Sequence, residues 1–411
     1  MNLVLRKTYK TVYIISFMTF LVRAGQFMSM PFLAIYLTHE KLFTPSQIGF
    51  VLGISGFFLS VTGLINGIYI DRNSHRNTLI YSLFLAGFCY FGFAFSMHLF
   101  YSLLFLNAAL GWFRSLTEIS TVSMLAHYTK SENLAYAHSA RFVGANLGVA
   151  LGPLIGAAMA AQHSLLIFFI AGAIHIVLGV FMLFSREKTK YIKANQHAFS
   201  RNFQEVFKDK ILIKITIINL ILWIVYAQLD TTIPQYLAST STGKNSAILF
   251  SVMMMINALI CVICQPFILR WAERTSLKIS AVLGSIMFVV AFFLIGIYPT
   301  SVVMIISVII MSLAELLTLP INGLLILRMA PKHLLASYNG LANVGLLGLS
   351  IGPVIGGYGL RFIEGSYTFL ISAILPIIAA CLYLKCSLVY KNIPNMGLPV
   401  DPLMIIDGYD K

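Results

Sequence analysis

Charge is what this chain has least of. Only 10% of its 411 residues are Asp, Glu, Lys or Arg, whereas 59% are hydrophobic and the mean hydropathy is +0.87. No soluble domain of that length buries so much apolar surface, so the composition predicts a polytopic membrane protein. Cysteine is also scarce. Cys89, Cys261, Cys264, Cys381 and Cys386 stand in or beside apolar runs, which fits packed thiols and gives no disulfide framework. Cys261-x-x-Cys264 has metal-ligand spacing but no partner ligands, so no metal is expected. A Gly-x-x-x-x-Gly-Lys phosphate loop, a nucleophile elbow and His-Glu metal spacing are all missing. Those absences argue against an ATP-driven pump and against an enzyme, and no cofactor is expected.

What is present is a series of apolar runs. Twelve spans are read at residues 11–37, 45–70, 77–97, 99–127, 136–161, 164–184, 212–238, 246–269, 277–297, 301–327, 336–360 and 366–389. The first follows Arg6, Lys7 and Lys10 and has no small-residue cleavage site, so it is read as a retained helix. The net charge of +14 is distributed by topology. Arg23, Arg114 and Arg141 lie inside or at the ends of spans, and Lys41, Lys244 and Arg361 lie on one side. All the other lysines and arginines fall in the even-numbered connections and the termini. That asymmetry predicts cytoplasmic termini and a cytoplasmic central loop, and it removes nucleic acid as a partner. The lack of extensions points to a bacterial inner membrane.

The longest uncharged pattern is a glycine stripe. Gly144, Gly148, Gly152 and Gly156 recur every fourth residue around Pro153, which predicts a bent helix approached closely by another backbone. The stripe returns as Gly348, Gly352, Pro353 and Gly356. Asp71-Arg72-x-x-x-Arg76 is echoed by Glu273-Arg274-x-x-x-Lys278, and Gln26 with Pro31 more loosely by Gln228 with Pro234. Echoes in one order mean two homologous halves. The expected division is 1–185 for the first six-helix half, 186–211 for a basic linker with a short surface helix near Asn202–Lys210, 212–390 for the second half, and 391–411 for a cytoplasmic tail.

Gly67-x-x-x-Asp71-Arg72-x-x-x-Arg76 after the second span resembles the signature of the major facilitator superfamily. The Gly144–Ala157 stretch resembles the span-five signature of that superfamily's drug:proton antiporters, ending in Gly156-Ala157 where the family has Gly-Gly. The resemblance implies an all-α fold of twelve transmembrane helices in two pseudo-symmetric six-helix halves, alternating access and proton-coupled export. It also implies that the cluster around Asp71, Arg72, Arg76, Glu273 and Arg274 gates the cytoplasmic side. The family's arginine in span four is missing, because Asn107 precedes Gly111.

Polar residues inside the spans are the candidate site. Arg114 and Glu118 lie four apart, on one face with Gly111 and Thr121, and are expected to pair, either to move a proton or to fix helix register. Arg23 and Gln26 face the interior or an interface. Asn219, Trp223, Tyr226 and Asp230 form one stripe that could wall a solute cavity, with Pro234 breaking the helix beyond. Glu315, Thr318 and Asn322 add a third intramembrane carboxylate with hydroxyl and amide neighbours. Glu118, Asp230, Glu315 and Arg114 are thus the proton-coupling candidates. The expected partners are protons, a small amphipathic solute or drug, and the bilayer, with the chain acting as a monomer. A dedicated metabolite carrier, such as one for a siderophore, stays open because Arg23 and Arg114 suit an anionic solute.

Overall fold

A computed structural model describes residues 3–72, 74–129, 134–160, 165–185, 207–240, 243–329, 338, 341–363 and 365–385. The expected 391–411 tail and nearly all of the linker, with most of its surface helix, lie outside the described residues. So do the side chains of Asp71, Arg72 and Glu273. Among the described residues every regular element is helical, as a bilayer requires when each backbone N–H and C=O must be satisfied within the segment.

The first half comprises α1 (Leu3–His39), α2 (Pro45–Arg72), α3 (His75–Ser96), α4 (Phe100–Tyr128), α5 (Leu134–Ala160) and α6 (Leu166–Phe184). In the second half come α7 (Lys210–Asp230), α8 (Thr232–Thr240), α9 (Gly243–Arg274), α10 (Leu277–Ile297) and α11 (Ser301–Met329). A 3-10 turn (Asn343–Leu347) then leads into α12 (Gly348–Phe362), α13 (Tyr367–Ser372) and α14 (Ile374–Lys385). Among the described residues eleven segments are long and apolar enough to cross a membrane, α7 with α8 and α13 with α14 each counting as one. The twelfth, α4, is 29 residues long but carries Arg114, Glu118 and several hydroxyls, and it packs between α2 and α3.

The seventh span differs from expectation. Its break falls at Thr231, three residues before Pro234. Pro234 has no N–H for the carbonyl of Asp230, four residues back, and its ring crowds that carbonyl, so the helix ends there and restarts. Pro376 stands in the same relation to Ser372, where α13 ends.

The glycine stripes seat one helix on another in each half. A Cβ added at Gly152 would lie 2.7 Å from the Ala24 carbonyl of α1, and one at Gly352 would lie 2.7 Å from the Ile224 carbonyl of α7. Such contacts leave no room for any side chain, so glycine sets how closely these helices approach. Gly148 meets Arg23, and Gly348 meets Trp223. This register pairs Gln26 with Tyr226, so the expected match of Gln26 to Gln228 is out of step. Gln228 is instead fully buried, accepting a hydrogen bond from Ser372 (2.9 Å).

The halves meet along a seam made mainly by two helix pairs, α2 with α12 and α5 with α9. Gly49, Gly53 and Gly56 of α2 lie against the backbone of Pro353, Ser350 and Leu349 in α12. Ser251 of α9 donates to the Pro153 carbonyl (2.7 Å), and Arg361 donates to Ser46 (3.0 Å). These contacts lie towards the end away from the Arg76 and Lys278 loops, here termed the sealed end.

At the other, basic end, Arg76 donates to the carbonyls of Met182, Leu183 and Ser185 at 2.7–2.9 Å, where α6 terminates. Lys278 does the same for Leu384 at the end of α14 (2.9 Å). A cation on the last carbonyls of a helix satisfies groups that have no partner within it and opposes the helix dipole. The expected bridge between halves is not made by Arg76, which instead clasps α3 to α6 in its own half. Gly67 lies in the last turns of α2, and Arg274 is exposed at the end of α9.

Candidate functional site

A recess of about 90 Å³ lies between the halves. Gln26, Phe27 and Met30 of α1, Ser55 of α2 and Asn107 and Arg114 of α4 line one side. Ala227 and Asp230 of α7, with Thr231 and Leu349, line the other. Asp230 thus belongs to the interior and not to the outer surface.

The expected Arg114–Glu118 pair is not formed. Arg114 turns to α2, donating to Ser55 Oγ (3.4 Å). Glu118 turns to α5 and α1: Arg141 Nη2 donates to its Oε1 at 2.7 Å, and Arg23 Nη2 stands 3.5 Å from its Oε2. Neighbouring helices bring cations closer than a residue one turn away on the same helix, and the short Arg141 bond is charge-assisted. Arg23 also donates to Gln26 Oε1 (3.2 Å), so polar contacts run from the recess through Gln26, Arg23 and Glu118 to α5. Arg141 is the residue that sequence reasoning missed. Its one signal is its place three residues before Gly144, at the head of the stripe that seats α1.

In the second half Glu315 accepts from Asn257 Nδ2 (3.1 Å), with Cys261 Sγ 3.6 Å away. Among the described residues no basic nitrogen lies within 4 Å of Glu315 or of Asp230, whereas Glu118 has two. The stripe expected to form one wall divides. Only Asp230 reaches the recess. Tyr226 lies at Glu315, its ring edge-on to Trp223 with centroids 5.5 Å apart. Asn219 bonds the Ala342 carbonyl (3.4 Å) and accepts from Asn322 (3.5 Å). Thr318 and Asn322 are buried in the core of this half, Thr318 bonded to the Ala314 carbonyl and Asn322 accepting from Tyr383, so neither lines the recess. Cys261 and Cys264 are free thiols, and no cluster of metal-binding side chains occurs among the described residues.

Comparison with known proteins agrees with this architecture. The chain is 27% identical over 361 residues to the uncharacterized MFS-type transporter YqjV of Bacillus subtilis, covering 85% of this chain and 87% of that one. It is 22% identical over 369 residues to a Na(+), Li(+), K(+)/H(+) antiporter of Planococcus maritimus, covering 82% and 86%. Among solved structures, a variant of the nucleoside transporter NupG superposes with a TM-score of 0.78 at 15% identity, over 92% of this chain and all of that one. An inward-facing bacterial homolog of the human lysosomal transporter Spinster gives 0.73 at 13% identity, over 95% and 98%. At such identities the superpositions speak for the fold alone. The sequence profile of the Major Facilitator Superfamily matches residues 15–347, and with its helices folded into two halves the chain is a multi-pass membrane transporter, not an enzyme, and belongs to that superfamily.

Proposed function

We propose that this transporter works by alternating access, exporting a small, partly apolar solute in exchange for protons. In this reading the basic end and both termini face the cytoplasm of a bacterial inner membrane, and the chain acts as a monomer. The observation that carries the coupling is the contrast among the three intramembrane carboxylates. Glu118 is held by two arginines, while among the described residues no basic nitrogen lies within 4 Å of Asp230 or Glu315. A carboxylate without a basic partner away from water is where a proton or another cation supplies the missing charge. Seventh-span Asp230 lies on the seam, and Glu315 sits behind Tyr226 in the second half, so protonation would alter contacts in the half that carries both.

The exchange of cations for protons named for the Planococcus relative supports antiport as a class. A dedicated metabolite carrier is the second reading, and the recess favours it. About 90 Å³ is well below the ~300–1,000 Å³ of drug-sized sites, and Arg114 lines it. A large siderophore or a multi-ring drug exceeds that volume. The test is proteoliposomes holding a pH-sensitive dye, an imposed proton gradient and a panel of small charged solutes. Solute-dependent proton movement is expected for the native chain and should vanish in Glu315→Gln. Undiminished movement in that variant overturns the role given to Glu315.

A further inference from the structure

Two side chains of opposite charge face the recess from opposite halves. Arg114 of α4 has Ser55 Oγ as its hydrogen-bond acceptor, and among the described residues no carboxylate lies within 4 Å of it. Asp230 of α7 likewise has no ion-pair partner among them. A third group points the same way. Asn107 is 1% exposed and lines the recess; its Nδ2 donates to the Val51 carbonyl, and its Oδ1 has no partner. A buried acceptor without a donor costs free energy that a ligand N–H would recover.

We propose that the recess binds a small zwitterion, its carboxylate on the Arg114 guanidinium and its ammonium between Asp230 and Asn107 Oδ1. The inference rests on the transport reading and names its substrate class. A solute with one charge would pair one protein group and leave the other without a partner, whereas a zwitterion satisfies both at once. Guanidinium is the side chain best matched to a carboxylate, offering two parallel donors. The recess, about 90 Å³, suits a short aliphatic amino acid. Because the two charges belong to different halves, the bound solute would join α4 to α7 across the seam. Gln26, also on the recess, is bonded to Arg23, so occupancy would be felt at Glu118.

The test uses the purified full-length chain in detergent, without a proton gradient, and calorimetric titration with β-alanine, propionate and propylamine, which share a carbon skeleton. β-Alanine is expected to bind at least about tenfold more tightly than either singly charged analogue. Arg114→Gln should erase its advantage over propylamine, and Asp230→Asn its advantage over propionate, in variants whose thermal unfolding shows them folded. Equal binding of the three probes, or no binding of any, overturns the proposal, as does an Arg114→Gln protein that keeps the native preference. If Arg114→Gln does not fold, the native chain's ranking of the three probes decides alone. Absent proton movement in liposomes with the binding preference intact would sink the coupling and leave the zwitterion site standing.

Discussion

Gly148 seats the Cβ of Arg23, and its counterpart Gly348 seats that of Trp223. The same helix pair is built twice, and what it carries has diverged. In the first half an ionic cluster joins the helices: Arg23, Glu118 and Arg141 tie α1, α4 and α5 together. In the second they are hydrogen bonds among amides, a phenol and a lone carboxylate: Asn219, Asn322 and Tyr383 form one group, Asn257 and Glu315 another. Packing is repeated because a glycine stripe tolerates only one approach of its neighbour. The charged side chains hang on that frame and were free to change. We propose that the first half's paired charges hold its helices in register, while the second half's unpaired acids respond to protons.

The comparison breaks most severely if the stripes are not equivalent. Gly152→Leu and Gly352→Leu each force a side chain into a backbone contact of 2.7 Å. Overpacking of this kind costs about 3 kcal/mol or more, because the α1 and α7 carbonyls cannot move aside without their own helices. Both variants should unfold at markedly lower temperature in detergent, by similar amounts. The control is Leu151→Ala, at a lipid-facing position 42% exposed, expected to stay within about 0.5 kcal/mol of the native chain. A large fall in one stripe and none in the other would mean that the halves do not rest on the same contact.

How much of this was legible follows from the range of each interaction. The glycine stripes are local patterns of period four, and the sequence displays both them and their repetition. Arg76 and Lys278 share a position after the second span of each half, and each clasps the last helix of its half. The Arg23–Glu118–Arg141 cluster joins residues on three helices, and no spacing rule reaches that far. Within one helix, the four-residue spacing of Arg114 and Glu118 allowed a bond that closer partners on α1, α2 and α5 displaced. The stripe from Asn219 to Asp230 was a true helical face, but the helices packed on it differ along its length, so it serves three separate contacts. The register between halves was misread at Gln228 because proline and glutamine were aligned instead of the glycines that make the contact.

Sharpening the contrast between halves calls for one isosteric change in each. Glu118→Gln leaves Arg23 and Arg141 without a counter-charge, and with the site 40% exposed the loss should be about 1 kcal/mol, below the cost of breaking a fully buried pair. Transport should fall with it, since the link from Gln26 to α5 is cut. Glu315→Gln keeps an oxygen for Asn257 and should change stability by no more than about 0.5 kcal/mol while abolishing coupled proton movement. Thermal unfolding and dye-reported proton flux on the same two preparations give the comparison. A Glu315→Gln protein as destabilised as Glu118→Gln would place an unrecognised cation partner at Glu315 and erase the distinction.

The smallest effect concerns the seam itself. The one hydrogen of Ser251 Oγ is shared between the Pro153 carbonyl of the opposite half and the Ala247 carbonyl of its own helix. Ser251→Ala removes the only side-chain hydrogen bond described between α9 and α5, which pack against each other across the halves. A single hydrogen bond contributes about 1 kcal/mol, so the balance between sealed and opened forms should shift roughly fivefold towards opening. Spin labels placed on exposed positions of α5 and α9 would report this as a larger fraction of long distances in the variant. When the halves part, the single hydroxyl hydrogen passes wholly to the Ala247 carbonyl, so roughly fivefold is the upper bound of the shift. An unshifted distance distribution would mean that the sealed end is held by the α2–α12 glycine contacts alone, and that α5 and α9 separate at no measurable cost.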